Sequence, residues 1–130
     1  MAYNFLIVDD SVTTRTIIKK ILELSSIEIG ELHEAADGEE ALEVLQNKWI
    51  DLVFADINMP RMNGVEMVQR MREDGMLKSI PVVIVSSEGS ETRIEEMMSK
   101  GIKAYLRKPF TPENIKELAE NILNLNKGGE

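Results

Sequence analysis

The sequence predicts an α/β domain in which a parallel sheet is covered by helices on both faces, and three observations carry that prediction. Short apolar runs alternate with amphipathic segments about five times along the chain, the rhythm of repeated strand–helix units. Most of the runs are continuously apolar rather than alternating, as strands buried on both faces must be. The amphipathic segments open on residues that cap helices.

The elements follow in order. A first strand is expected over 5–8, and a first helix begins after Ser11 as N-cap and runs to about Leu24, with Ile17, Ile18, Ile21 and Leu22 as its apolar stripe. The second strand is expected over 32–35. The second helix has Asp37 as N-cap and Glu40 three positions on, a capping-box pattern, followed by Ala41, Leu42 and Leu45. A strand over 52–55 precedes a helix from about Gly64 to Glu73. A strand over 82–85 precedes a helix from about Glu91 to Lys100 that closes at Gly101. The last strand is expected over 104–106, and the last helix starts with Thr111 as cap, Pro112 at its first position and Glu113 in its first turn. The domain is expected over 1–126, with 127–130 a polar tail.

With 130 residues there is room for one domain and its core, not for a separate effector. A composition of 43% hydrophobic and 29% charged residues is that of a folded globular protein. The net charge of −8 disfavours direct nucleic-acid binding, which calls for a basic face. The chain has no cysteine, so thiolate metal sites, disulfides and a cysteine nucleophile are excluded. The first apolar run ends at two aspartates and lacks a basic start, and no segment is long and apolar enough to enter a membrane. A cytoplasmic location is the expectation.

In an open parallel sheet, ligands bind beyond the carboxyl ends of the strands, where strand order reverses. The residues at those ends here are Asp9 and Asp10, then Asp56, then Ser86 and Ser87, then Lys108 before Pro109. Three carboxylates converging there would repel one another by roughly 3 kcal/mol per pair at about 5 Å and an effective dielectric near 20. A positive partner is therefore required. Oxygen ligands alone select a hard cation, and an open site with few protein ligands suits Mg²⁺ better than Ca²⁺. A carboxylate beside a divalent cation, a lysine and a hydroxyl has what phosphoryl transfer needs, and Asp56 is the candidate nucleophile.

The pair Asp9-Asp10, the stretch Asp56-Ile57-Asn58-Met59-Pro60 with Met62, Asn63 and Gly64, the hydroxyl of Ser86, the aromatic Tyr105 and the run Lys108-Pro109-Phe110 together resemble the response-regulator receivers, in particular the single-domain, chemotaxis-type regulators. The resemblance covers residues 4 to 124. It implies a flavodoxin-like, doubly wound sheet of five strands in order 2-1-3-4-5 with five helices, an order for which chemotaxis regulators are themselves a standing example. It implies that Asp10, Asp56 and the backbone carbonyl of Asn58 ligate Mg²⁺, that Asp9 acts through a bound water, and that Lys108 pairs with the phosphoryl group through a cis Lys108–Pro109 bond. Ser86 and Tyr105 would form the switch, and Asn58 and Glu88 would set the dephosphorylation rate. Implied partners are a sensor histidine kinase or phosphotransfer domain and a target protein bound by helix four, strand five and helix five. Turnover is expected only on the protein itself, not as an enzyme acting on a separate substrate.

Each residue also has a plainer reading. Asp9-Asp10-Ser11 can serve only as a helix cap, Asp56 as a turn residue and Lys108 as a solvated lysine; their joint placement at successive strand ends favours the site. His33 and Trp49 read as packing or surface residues, the methionines as core filling, and the acidic stretch 91–96 as a solvated helix face. Among competing functions, a phosphoaspartyl hydrolase needs its nucleophile and acid two residues apart after strand one, whereas here the aspartates are adjacent. A pseudo-receiver would lack an acidic or lysine position, and none is missing. A dinucleotide-binding domain would show a glycine-rich turn where Asp9-Asp10-Ser11-Val12-Thr13 stands. The lone domain and the Asn58/Glu88 pair make chemotaxis and motility the expected pathway, with a phosphorelay intermediate or regulation of a separate enzyme as the alternatives.

Overall fold

The computed structural model describes residues 2–87 and 90–124. Glu88 and the expected tail at 127–130 lie outside the described residues. Five strands, β1 (Tyr3–Val8), β2 (Ile29–Ala35), β3 (Leu52–Ala55), β4 (Val82–Ser86) and β5 (Ala104–Arg107), alternate with five helices, α1 (Val12–Leu24), α2 (Gly38–Asn47), α3 (Gly64–Arg72), α4 (Glu91–Ser99) and α5 (Pro112–Ile122). The strands form one parallel sheet in the order β2-β1-β3-β4-β5. This is the predicted architecture.

Alternate residues along a strand face opposite sides of a sheet, and each side has its own core. On one side Leu6, Val8, Val53, Ala55 and Ile84 meet Ala41 and Leu45 of α2, Met67 and Met71 of α3 and Met97 of α4. On the other, Phe5, Ile7, Leu52, Phe54, Val83 and Val85 meet Ile18 and Leu22 of α1 and Ile115 and Ala119 of α5. The Phe5 and Phe54 rings stack at a centroid distance of 6.4 Å. All four residues of β3 and all five of β4 are buried, which explains their continuously apolar sequences.

The departures from expectation have physical causes. β2 is longer than 32–35 and begins at Ile29, because Tyr3 of β1 pairs with Ile29 ahead of a register irregularity. It is an edge strand with Glu31 and Glu34 exposed, and charges on an edge discourage pairing with other chains. Its polar start hid it from a search for apolar runs. Ile17 does not belong to the α1 stripe, for it is 47% exposed while Ile18 and Leu22 are buried; one residue along a helix turns the side chain by about 100°. The Glu40 carboxylate accepts from the N–H of Ala36 rather than from that of Asp37, so the capping box is not closed, while Asp37 still caps α2 by accepting from Glu40 N at 3.0 Å. Asn63 and Thr111 form full capping boxes with Glu66 and Asn114. Met62, Met67, Met71 and Met97 are core residues as read, but Met76 and Met98 are exposed. Trp49 lies on the surface with its indole N–H on Asp51, and His33 faces Glu31 at 2.8 Å.

Gly64 lets α3 start against the end of β3. Its N–H donates to Ile57 O at 2.8 Å, and a Cβ there would lie 2.3 Å from the carbonyl oxygen of Asp56. Gly64→Ala is therefore expected to cost about 2 kcal/mol or more in urea unfolding, because backbone must move. Gly75→Ala meets nothing within 4 Å and is expected to change stability by less than about 1 kcal/mol. Equal effects of the two substitutions would contradict this packing.

Candidate functional site

Register brings the strand ends level. Val8 lies opposite both Ala35 and Ala55, and Ala55 lies opposite Ile84, so the residues that follow β1 and β3 emerge side by side where strand order reverses. The ladder continues one step past the strands, with Asp9 N donating to Ala35 O at 3.1 Å and Asp56 N donating to Val8 O at 2.9 Å. Both aspartates thus leave the sheet with fixed backbones.

Their side chains are held as firmly. Asp9 is 2% exposed; its Oδ1 accepts from Ser11 N at 2.8 Å and its Oδ2 from Lys108 Nζ at 3.0 Å. Asp56 is 9% exposed; its Oδ1 accepts from Ile57 N at 2.7 Å and its Oδ2 from Lys108 Nζ at 3.3 Å. Asp10 is exposed, and one carboxylate oxygen from each of Asp9, Asp10 and Asp56 lies within 4.8 Å of the others. The arrangement has a wet side and a dry side.

Lys108 reaches the carboxylates from beyond β5. Its N–H donates to Ser86 O at 2.9 Å, and its bond to Pro109 is cis, as the resemblance implied. Burial alone would lower the pKa of its ammonium; the Asp9 hydrogen bond and the charges of Asp56 and Asp9 outweigh burial and hold it above the ordinary lysine value. Lys108 therefore stays charged at neutral pH and offsets part of the repulsion.

Ser86 is fully buried at the end of β4. Tyr105 is half-buried in β5, opposite Ile84 and packed against the core on the α2, α3 and α4 side. Asn58 is exposed in the loop between β3 and α3. The structure so brings together Asp9, Asp10, Asp56 and Lys108, with Ser86 joined through its carbonyl. Oxygen-only donors, two of them buried and one open to water, fit a hard cation that keeps part of its hydration shell.

Two residues of this neighbourhood carried no local signal. Arg15 Nη1 donates to the backbone carbonyl of Asp9 at 2.5 Å, and Arg61, at φ 62°, pairs with buried Asp37. Their anchors, Glu34 and Asp37, lie 19 and 24 residues away in sequence, a distance that periodicity does not register.

Comparison with known proteins agrees with this geometry. A family model described as the response regulator receiver domain matches residues 5–120. The chemotaxis protein CheY1 of Helicobacter pylori is 38% identical over 124 residues, covering 95% of this chain and 98% of its own. The structure of the chemotaxis response regulator CheY4 of Vibrio cholerae superposes with a TM-score of 0.84 at 31% identity, covering 94% of this chain and 99% of that one. A CheX–CheY–BeF3–Mg²⁺ complex from Borrelia burgdorferi matches with a TM-score of 0.84 at 32% identity, covering 93% and 89%.

Removing the Lys108 charge while keeping its stem tests the electrostatic account. Lys108→Met is expected to lower stability by about 1–3 kcal/mol in a chelator, because it leaves two largely buried carboxylates facing each other. Millimolar Mg²⁺ is expected to recover most of that loss. Urea unfolding with and without the metal checks both statements, and a substitution without effect in chelator would contradict them.

Proposed function

The chain belongs to the response regulator receiver family of two-component signalling, and on that premise we propose that it is a phosphorylation switch with Asp56 as phosphoacceptor. The convergence of the Asp9, Asp10 and Asp56 carboxylates within 4.8 Å, with Lys108 bonded to two of them, carries the proposal. Signalling proteins of this kind act on themselves rather than turning over a separate substrate.

A carboxylate oxygen of Asp56 attacks the phosphorus of a phosphohistidine on a sensor kinase or phosphotransfer domain. The P–N bond breaks, the imidazole leaves and takes up a proton, and the new O–P bond makes an aspartyl phosphate. Asp9, Asp10, Asp56 and the carbonyl of Asn58 are the groups that would hold Mg²⁺, Asp9 through a bound water. When bound, the cation supplies charge neutralisation at the phosphoryl oxygens. Lys108, already 3.3 Å from Asp56 Oδ2, exchanges part of its carboxylate contact for a phosphoryl oxygen. Asp9 keeps the other side of the ammonium in place.

The hydroxyl of Ser86 then donates to a phosphoryl oxygen, and Tyr105 rotates into the space it vacates. Both lie on the β4–β5 side of the sheet, so the chemistry reads out at α4, β5 and α5, the face assigned to the target protein. Asn58 and Glu88 flank the path of attacking water and set the lifetime of the signal. Relatives named as chemotaxis proteins support chemotaxis and motility as the pathway, and the cytoplasm is the proposed place of action.

Intact-mass measurement after incubation with acetyl phosphate and Mg²⁺ tests the assignment. One phosphate adduct is expected in the wild type, none in Asp56→Asn, and none in the wild type with a chelator. An adduct that persists in Asp56→Asn would move the acceptor elsewhere, and no adduct under any condition would favour a phosphorylation-independent pseudo-receiver.

A further inference from the structure

The corner where β2 gives way to α2 supplies no group to the proposed site, yet both loops that carry its ligands are fastened to that corner by the same device. The β1–α1 loop, with Asp9 and Asp10, is tied by the backbone bond from Asp9 N to Ala35 O at 3.1 Å. It is tied again by Arg15, whose Nη1 donates to Asp9 O at 2.5 Å while its Nε donates to Glu34 Oε1 at 2.8 Å. Lys19 holds the other oxygen of Glu34 at 2.9 Å. Those hydrogen bonds, Lys19 first and then Arg15, draw the Glu34 carboxyl below its ordinary range.

The β3–α3 loop, with Asn58, is fastened in the same way. Gly38 N donates to Met62 O at 2.9 Å. Arg61 Nε donates to Asp37 Oδ2 at 2.7 Å, and its Nη2 reaches the same oxygen at 2.5 Å and Glu40 Oε2 at 3.2 Å. Asp37 is 1% exposed, so its charge depends on these partners. Arg61 itself sits at φ 62°, in a three-residue turn closed by Met62 N to Pro60 O at 2.6 Å. An arginine in the left-handed region carries a conformational cost that surrounding contacts must offset. The fork on Asp37 is such a contact.

A planar guanidinium fixes orientation as well as distance, and a cation as exacting in geometry as Mg²⁺ rewards ligands that are already in place. We propose that Arg15 and Arg61 are positioning residues that brace the two ligand-bearing loops against the β2–α2 corner and so raise the affinity of the site for a divalent cation. This rests on the metal site of the preceding section. Neither arginine belongs to the proposed set of ligands. Supports of this kind around metal ligands are commonly worth about 10-fold or more in affinity.

The sign of the effect separates bracing from simple electrostatics. Both arginines are positive charges near a cation site, so removing one should tighten metal binding or leave it unchanged if charge were all that mattered. Bracing predicts the reverse. Mn²⁺ affinity, measured by the loss of the free-ion electron paramagnetic resonance signal, is the readout for Arg15→Gln and Arg61→Gln. The dissociation constant is expected to rise about 3-fold or more in each. In an Asp37→Asn background, which keeps the α2 cap because asparagine caps as well as aspartate, Arg61→Gln is expected to weaken binding less than it does alone, since the Asp37 charge is already gone while the contact with Glu40 is still left to lose.

Circular dichroism and melting in chelator establish that each variant is folded. If Arg61→Gln does not fold, Arg61→Lys against the wild type is the comparison, since it keeps the charge and loses the fork, with the same rise of about 3-fold expected. Unchanged or tighter binding in folded variants would overturn the brace while leaving the site intact. A wild type that binds no Mn²⁺ would instead overturn the metal reading itself.

Discussion

Three carboxylates, from Asp9, Asp10 and Asp56, have oxygens within 4.8 Å of one another at the carboxyl end of a parallel sheet, and Lys108 donates to two of them. A cluster of that kind is unstable without its positive partners, and much of the surrounding structure serves to hold it. Parallel pairing with level strand ends delivers Asp9 and Asp56 to one edge. The Lys108 N–H bonded to Ser86 O delivers the ammonium to the same edge from the far side of β4. Burial on both sheet faces keeps β1, β3 and β4 from slipping, because a one-residue shift would turn their apolar side chains to the wrong core.

The same constraint accounts for the small residues and turns nearby. Gly64 fits where any Cβ would strike Asp56 O, and Gly38 fits where one would strike Met62, so α2 and α3 start close to the site. Ser11 and Asn63 cap the helices that leave the ligand-bearing loops. The Ser11 N–H also donates to Asp9 Oδ1, which joins the start of α1 to the charge cluster. Function at the site and the start of each adjoining helix are therefore set by common contacts.

Most of this was legible in the sequence, because the signals are local. Continuous apolar runs announced β1, β3 and β4, Thr111-Pro112-Glu113 announced α5, and the ionisable residues directly after those runs announced the site. What escaped depended on distant partners. The start of β2 at Ile29 is fixed by pairing with Tyr3, and Ile17 is turned outward by packing that settles on Ile18 and Leu22. Glu40 is the local exception, its carboxylate accepting from Ala36 N, one residue before the expected cap. The two arginines reach carboxylates 19 and 24 residues away in sequence, and their importance follows only once the corner between β2 and α2 is seen beside the ligand loops.

Isothermal titration of Mg²⁺ into the wild type and into Asp10→Asn tests the central claim most directly. Asp10 has no contact with Lys108 in the structure's hydrogen bonds, so its substitution removes one charge of the cluster without unpairing the lysine. The account predicts one Mg²⁺ per chain in the wild type and affinity weakened about 10-fold or more in Asp10→Asn. Equal affinity in the two proteins would contradict the claim that these carboxylates form a single cation site.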